Sequence, residues 1–142
     1  MHATVSWLHD QQYDAVSHSG HHVAMDADAA HQGGPGPMEM VLMGTAACTA
    51  FDVVLILKKA RQPVGDCTVD ATAERADTDP KVFTRIHLTY TVAGRGLDRN
   101  HVERAVKLSK EKYCSATLML AKTAEITFEI VYVEGERVPL PR

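Results

Sequence analysis

Apolar and polar residues alternate in several segments of the chain, and this pattern predicts β-strands. Three short candidates, separated by turns, span residues 3–8, 13–17 and 22–26. Residues 66–75 and 82–92 alternate more regularly and predict a β-hairpin. Its inward positions are Cys67, Val69, Ala71 and Ala73 on one strand and Val82, Ile86, Leu88 and Val92 on the other. Residues 125–133 predict the last strand.

The longest apolar segment predicts a helix that begins near Pro37 and ends near Arg61. Proline is favoured at the first position of a helix, and Pro63 prevents the helix from continuing. Nearly every face of this helix is apolar, so protein must surround it. One domain of this size can hardly cover such a helix alone, and the pattern therefore favours a homodimer.

A second helix is predicted to begin at Asp98, whose side chain suits the N-cap position. Its inner face is expected to hold Val102, Ala105, Val106, Ser109 and Tyr113. A short helix follows at residues 115–122, and the tail 138–142 is expected to lie on the surface. Hairpins and helices are grouped separately, which predicts an α+β fold instead of a parallel βαβ sheet. The length of 142 residues predicts a single domain, residues 1–142.

Composition and charge narrow the class of function. The chain is 45% hydrophobic and 23% charged, which is typical of a soluble globular protein. A net charge of −3 and only 6% aromatic residues disfavour nucleic-acid binding. The N-terminus shows no secretory signal, and Glu39 and Asp52 interrupt the one segment long enough to span a membrane. We therefore expect a cytoplasmic protein that has no membrane partner.

Cys48 and Asp52 lie one turn apart in the long apolar helix. A lone cysteine in such a helix is usually a small hydrophobic residue, and this interpretation stands beside a chemical one. The carboxylate shares a helix face with the thiol, and the glycine-rich loop at residues 29–37 suits a backbone that passes close to a site. A carboxylate alone disfavours a thiolate, so either a cation offsets it or Asp52 faces another partner.

Cys114 lies at a predicted junction between two helices, where a helix N-terminus favours the thiolate form of a cysteine. A structural role, with Cys114 packed under Tyr113, is the alternative. Cys67 faces inward on a regular strand and is interpreted as a core residue. With three cysteines and no visible secretory signal, any disulfide is expected to be transient or catalytic.

Histidines cluster near the N-terminus at His18, His21 and His22. An HxxHH segment could bind zinc, but no Cys, Asp or Glu completes a recognisable ligand set at fixed spacing. Exposed histidines on short strands are the favoured interpretation, and a metal-binding protein is the alternative.

Two segments resemble the OsmC/Ohr family, the osmotically inducible proteins C and the organic hydroperoxide resistance proteins. They are PMEMVLMGTAACTAFDVV at residues 37–54 and VERAVKLSKEKYCSATLMLAKT at residues 102–123. The resemblance rests on a proline eleven residues before Cys48, the small-residue step AAC, and Cys114 at a helix junction. It covers nearly the whole chain and is greatest to an OsmC-like branch that differs from the best-studied peroxidases.

The resemblance implies an OsmC-like fold, with antiparallel sheets around long central helices in an intertwined homodimer. It implies that Cys48 attacks an organic or fatty-acid hydroperoxide, becomes a sulfenic acid, and then forms a disulfide with Cys114. A dithiol, often a lipoyl group on a protein, would reduce that disulfide by exchange in defence against oxidative stress. No metal or bound cofactor is implied.

The family's peroxidases activate the first thiolate with an early arginine and a glutamate before the helix, and this sequence departs from that pattern. No arginine precedes Arg61, Met38 occupies the glutamate position with Glu39 next to it, and Ser115 follows the second cysteine where proline is common. The replacement cation is left open between the histidines at positions 18, 21 and 22 and an arginine from the partner chain.

Two hypotheses of different class follow. In the first, the chain is a thiol-dependent hydroperoxide reductase with Cys48 and Cys114 as catalytic residues and Glu39, Asp52 and His22 in support. In the second, the chain is a non-enzymatic protein that binds a hydrophobic ligand in the dimer-interface cleft. Both thiols then stay reduced, and Asp52 anchors a polar head group.

Overall fold

The computed structural model describes residues 1–137, and the tail expected on the surface, residues 138–142, lies outside them. Strands and helices follow the predicted order and confirm the α+β class. They are β1 (Ala3–His9), β2 (Gln12–Ser17), β3 (His22–Asp26), α1 (Pro37–Lys59), β4 (Val64–Arg75), β5 (Phe83–Gly94), α2 (Arg99–Leu108), α3 (Ser115–Leu120) and β6 (Glu125–Val133). A π-helical turn, Ser109–Tyr113, links α2 to Cys114.

The chain divides into two compact units, one formed by Met1–Leu42 and the other beginning at Met43. A single domain over residues 1–142 therefore stays a prediction. In the first unit, β1, β2 and β3 form an antiparallel sheet in that order.

Asp26 is the last residue of β3, and its side chain makes hydrogen bonds to the loop that follows. Its carboxylate accepts hydrogen bonds from the backbone N–H groups of Asp28 at 2.9 Å and Gly33 at 3.0 Å. These two bonds lower the pKa of Asp26. The loop leads to the start of α1, where the Glu39 carboxylate accepts a hydrogen bond from the N–H of Gly36 at 2.7 Å. Glu39 thus makes one of the two hydrogen bonds of a capping box, the one in which its side chain accepts from the backbone N–H at the start of the helix.

In the second unit, β5 is the central strand of a mixed sheet. It pairs antiparallel with β4, as predicted, and parallel with β6. The parallel pair arises because α2, the π turn and α3 return the chain to the opposite end of the sheet before β6 begins. The inward side chains of β5 are fully buried, and they include Ile86, Leu88, Tyr90 and Val92.

The prediction that Val82 points inward is wrong. Val82 is 36% exposed, and Phe83, which is 5% exposed, packs in its place. The strand begins only at Phe83, whereas the backbone of Val82 belongs to the preceding turn. Its N–H donates to the carbonyl of Pro80 at 2.7 Å, and its carbonyl accepts from the N–H of Ala76 at 2.9 Å.

Helix α1 buries one stripe of side chains, which consists of Thr45, Thr49, Val53 and Leu57. These residues recur every fourth position and therefore share a helix face. Other apolar side chains of α1 are exposed, including Met43 and Phe51. This open apolar surface is the one that the sequence expects a second chain to cover, and the homodimer stays a prediction.

Helix α2 begins as predicted, because the Asp98 carboxylate accepts a hydrogen bond from the N–H of Asn100 at 2.8 Å. Its inner face is fully buried at Val102, Ala105, Val106 and Ser109. Tyr113, which is also expected there, is 51% exposed, so that expectation is wrong. A π turn holds more residues per turn than an α-helix, and it rotates Tyr113 away from the inner face.

Candidate thiol site

Cys114 lies at the junction that the sequence predicts, between the π turn and α3. Its backbone N–H donates to the carbonyl of Ser109 at 2.8 Å, which closes the π turn. Its backbone is then extended, and its Sγ accepts a hydrogen bond from the N–H of Thr117 at 3.4 Å. The Cys114 thiol is therefore the N-cap of α3, a position that holds the sulfur in one orientation.

The structure brings the two candidate thiols together. Burial raises the pKa of the Cys114 thiol, and the hydrogen bonds from Thr117 act against that increase. Cys48 also raises the pKa of Cys114, through a side-chain hydrogen bond and through its charge. The two thiols therefore interact although 66 residues separate them in sequence. Cys48 is half-buried, Cys114 is fully buried, and both are free thiols.

The Asp52 carboxylate has a hydrogen-bond partner of its own. This is one of the two alternatives that the sequence leaves open, the other being a cation that offsets its charge. The hydroxyl of Ser109, in the π turn, donates to Asp52 Oδ2 at 2.9 Å. Ser109 Oγ also lies 2.8 Å from Thr49 Oγ1, and Thr49 Oγ1 lies 2.6 Å from the phenolic oxygen of Tyr90 on β5. Four side chains from three elements therefore form one continuous hydrogen-bonded chain, which we call the hydroxyl chain: Tyr90, Thr49, Ser109 and Asp52.

The two ends of the hydroxyl chain have different surroundings. Tyr90, Thr49 and Ser109 are fully buried, whereas Asp52 is half-buried. Asp52 opens on a cavity of about 370 Å³, which is lined by Asp52, Leu55, Ile56, Lys59, Leu108 and Tyr113. At the other end, burial raises the pKa of Tyr90 to about 12, and the charges of Cys114 and Cys67 contribute. The phenol is therefore in the electrostatic range of Cys114 and Cys67, and the carboxylate is close to the opening.

Cys67 lies opposite the fully buried Val92 and so faces inward, as the sequence predicts. It is half-buried because β4 is an edge strand on which no residue is fully buried. Burial raises the pKa of Cys67 to about 11, and the neighbouring Asp66 carboxylate adds to the increase. Cys67 is thus a protonated thiol at neutral pH, on the same sheet face as Tyr90.

Glu39 and His22 both belong to the first unit, and their observed contacts lie within it. Glu39 bonds to the N–H of Gly36, and His22 Nδ1 lies 2.9 Å from an oxygen of Asp14. Their support of Cys48 stays a prediction. Among residues 1–137, no group of three or more His, Cys, Asp or Glu side chains is arranged to hold a metal ion.

The sequence did not single out Thr49 or Tyr90 as members of a site. A signal was present, because a threonine in an apolar helix must satisfy its hydroxyl when it is buried. Thr49 follows Cys48 directly and shares a helix face with Val53, which is fully buried. Its partners could not be named in advance because they are 41 and 60 residues away.

Comparison with known proteins identifies the family of the chain. The model of the family described as OsmC-like protein matches residues 30–129. The chain belongs to the OsmC-like family. Protein YhfA of Escherichia coli (strain K12) is 47% identical over 133 residues, which cover 92% of this chain and 98% of YhfA. The resemblance seen in the sequence is therefore confirmed.

Solved structures of OsmC-like and Ohr proteins share the fold. One structural genomics protein is 45% identical with a TM-score of 0.88, and the match covers 95% of this chain and 100% of that one. The organic hydroperoxide resistance protein OhrB of Bacillus subtilis is 20% identical with a TM-score of 0.62. That match covers 92% of this chain and 98% of OhrB, and it shows a shared fold.

Family membership also bears on the apolar helix. Pro37–Lys59 is long and apolar enough to cross a membrane. Its 18-residue apolar segment has a mean hydropathy of 2.1, and 22% of that segment is buried. In a small OsmC-like protein this helix is a core helix of a soluble fold.

Proposed function

We propose that this OsmC-like protein reduces organic hydroperoxides with Cys48 and Cys114 as its catalytic thiols, in defence against oxidative stress. The observation that carries the proposal is that Cys48 lies close enough to Cys114 to act on its thiol. Two neighbouring free thiols are the pair that a disulfide needs, provided that their Cα atoms lie within about 7 Å of each other. OhrB, which shares the fold, is described as an organic hydroperoxide resistance protein.

The exposure of the two thiols supports their assignment. Cys48 is half-buried, so a hydroperoxide can reach its thiol. Cys114 is fully buried, so its thiol is accessible only to neighbouring side chains. The Cys48 thiolate attacks the outer oxygen of the hydroperoxide, so that the O–O bond breaks and an S–O bond forms. The peroxide leaves as an alkoxide, takes a proton to become an alcohol, and is thereby reduced. Cys48 is oxidised to a sulfenic acid.

The second step consumes that sulfenic acid. The sulfur of Cys114 attacks the sulfur of Cys48, an S–S bond forms, the S–O bond breaks, and water is lost. An external dithiol, such as a lipoyl group on a protein, then exchanges with the disulfide and restores both thiols. Glu39, Asp52 and His22 are the residues assigned to support Cys48.

The assembly belongs to the same proposal. The residues 1–142 form one OsmC-like domain, and two copies form a cytoplasmic homodimer. Apolar side chains that are exposed in the single chain support this assembly, since a stable monomer rarely leaves so many uncovered. They include Val5, Trp7 and Leu8 on β1 and Val41, Met43, Phe51 and Leu55 on α1.

The second candidate function is binding of a hydrophobic ligand without catalysis. The cavity of about 370 Å³ beside Asp52 favours it, because apolar side chains line most of this cavity and two charged ones, Asp52 and Lys59, could hold a polar head group. Under this hypothesis both cysteines stay reduced.

Peptide mass mapping separates the two functions. The reduced protein is exposed briefly to cumene hydroperoxide or, separately, to hydrogen peroxide, then alkylated and digested. If the organic peroxide rapidly produces a disulfide between Cys48 and Cys114, and Cys48→Ser does not form it, the result supports the reductase hypothesis. If both thiols stay free and Cys48 oxidises only slowly, the reductase proposal is lost and the cavity becomes the site to test with ligands.

A further inference from the structure

The cavity beside Asp52 is lined by residues that neighbour both candidate thiols along the chain. Asp52 lies one turn after Cys48 on α1, and Tyr113, another lining residue, directly precedes Cys114. This cavity takes no part in the two thiol steps. We propose that Lys59, which also lines it, is a specificity-determining residue that binds the carboxylate of a long-chain hydroperoxide. This inference rests on the proposed function, in which Cys48 attacks the peroxide.

The α1 residues that line the cavity continue the helix face on which Cys48 lies. They are Asp52, Leu55, Ile56 and Lys59, which follow Cys48 by four, seven, eight and eleven positions. Residues at these spacings share one face of an α-helix. Because each residue adds about 1.5 Å, Cys48 and Lys59 are separated by about 16 Å along the helix axis. A long acyl chain spans this distance, whereas a small peroxide does not.

The two ends of this face carry opposite charges. Asp52, at the end near Cys48, has a carboxylate that accepts a hydrogen bond from Ser109 at 2.9 Å. Lys59 lies seven residues further on, which is about 10 Å along the axis. An anionic head group is therefore repelled near Cys48 and attracted at the far end of the cavity. These charges orient an amphiphilic peroxide with its head at Lys59 and its peroxide-bearing carbons towards Cys48.

The lining between the charged ends is apolar. Leu55 and Ile56 come from α1, Leu108 comes from α2, and Tyr113 contributes an aromatic ring. The cavity of about 370 Å³ is within the usual size of a small-molecule site, and a mainly apolar lining with few charged groups is typical of such sites. Burial of an aliphatic chain supplies the affinity here, and the charges select the head group and the orientation.

Lys59 is placed to meet a ligand instead of another side chain. It is exposed, and no ion pair within residues 1–137 involves it. Side chains on a helix lean towards its N-terminus, so the stem of Lys59 extends back over the cavity. Lys58 is also exposed but is not among the lining residues. The two lysines add the same charge to the end of α1, and only Lys59 adds it to the cavity.

The experiment compares linoleic acid hydroperoxide with its methyl ester, which has the same chain and the same peroxide group but no charge. Reduction of each is measured with dihydrolipoamide as the dithiol, at concentrations where both peroxides are monomeric. We expect the unaltered protein and Lys58→Gln to have a higher kcat/KM for the acid. Lys59→Gln should lower the ratio of acid to ester about fivefold, the size of effect that a partly exposed charge pair produces. The change is expected in KM for the acid, because the head group is far from the reacting atoms.

Charge reversal gives a result that lost packing does not produce. In Lys59→Glu the carboxylate of the acid meets a like charge, so the ester should become the better substrate. Thermal unfolding of each variant checks the fold, and the exposed position of Lys59 predicts that both substitutions are tolerated. Should Lys59→Glu be unstable, Lys59→Gln against Lys58→Gln decides the question.

The failure of this inference and the failure of the proposed function give different results. If the unaltered protein reduces neither peroxide, the proposed function fails and this inference fails with it. If it reduces both without preference for the acid, or if Lys59→Gln keeps the preference, only the inference is overturned. An equal loss of preference in Lys58→Gln and Lys59→Gln would also overturn it, because the preference would then arise from the general positive charge at the end of α1.

Discussion

The hydroxyl of Ser109 donates a hydrogen bond to the carboxylate of Asp52 at 2.9 Å, between residues 57 positions apart in the chain. This bond explains why an otherwise apolar helix carries a carboxylate one turn after a thiol. Asp52 is turned towards the π turn and ends a hydrogen-bonded chain that begins deep in the core at Tyr90. The carboxylate therefore has a hydrogen-bond donor in the second unit, the Ser109 hydroxyl.

Asp52→Ala should destabilise the fold by about 1–3 kcal/mol, because it leaves a buried hydroxyl donor without its acceptor. Asp52→Asn, which retains an acceptor, should cost less than Asp52→Ala. Urea unfolding followed by circular dichroism measures both. In a double-mutant cycle with Ser109→Ala, the second substitution should cost much less when Asp52 is already alanine. Additive costs in that cycle would show that the hydrogen bond does not contribute to stability.

The capping contact of Glu39 can be separated from any role beside Cys48. Glu39→Ala removes the acceptor for the Gly36 N–H and should lower stability by about 1 kcal/mol. Glu39→Gln keeps an acceptor and should be nearly neutral in thermal unfolding. If Glu39 also supports Cys48 through its charge, Glu39→Gln will slow sulfenic acid formation although the fold is unchanged. An unaltered rate would restrict Glu39 to its capping role.

The exposed apolar side chains of α1 provide a test of the homodimer. Phe51 is 66% exposed in the single chain. Sedimentation velocity should report twice the mass of one chain, and Phe51→Asp should shift the population towards single chains because a charge would be buried in the interface. Arg104→Glu, on the exposed face of α2, is the control for a change of charge. A single-chain mass for the unaltered protein would contradict the proposed assembly.

The strands and helices could be predicted closely because their signals are local. Alternation places residues of opposite polarity on opposite sheet faces, and it located β6 at residues 125–133 as the structure has it. Pro37 and Asp98 marked helix starts through backbone chemistry that needs no distant partner. The prediction that Val82 faces inward was wrong because a turn, and not the alternation of residues, determines where β5 begins.

The site was only partly predictable, because most of it depends on contacts between distant residues. The thiols and Asp52 stood out since their chemistry conflicts with an apolar helix or a helix junction. The π turn that holds Cys114 has no comparable signature, and it also carried Tyr113 out of the core. Thr49 and Tyr90 became recognisable as partners only when the sheet and α1 were seen together.

Cys114→Ser should leave the first oxidation step intact and abolish the second. Brief treatment with cumene hydroperoxide should then accumulate Cys48 as a sulfenic acid, and longer treatment should convert it to a sulfinic acid because no thiol intercepts it. Mass spectrometry of the peptide that contains Cys48 follows both products. Cys67→Ser, which removes the half-buried thiol on β4, should still form the disulfide with Cys114. A disulfide that depends on Cys67 instead would reassign the resolving thiol.

Stability should fall at alkaline pH because burial, full or partial, makes three acidic groups resist ionisation in the folded state. The pKa is raised to about 11 for Cys67 and to about 12 for Tyr90, and it is also raised for Cys114. In the unfolded chain these groups ionise nearer their ordinary values of 9.0 and 10.0, so between the two ranges the folded state binds more protons. The free energy of unfolding is then fully retained below pH 9 and decreases as the pH rises towards 11 and 12. Urea midpoints measured across this range should show a smaller decrease in Cys67→Ala, and an equal decrease would mean that Cys67 is not held protonated by the fold.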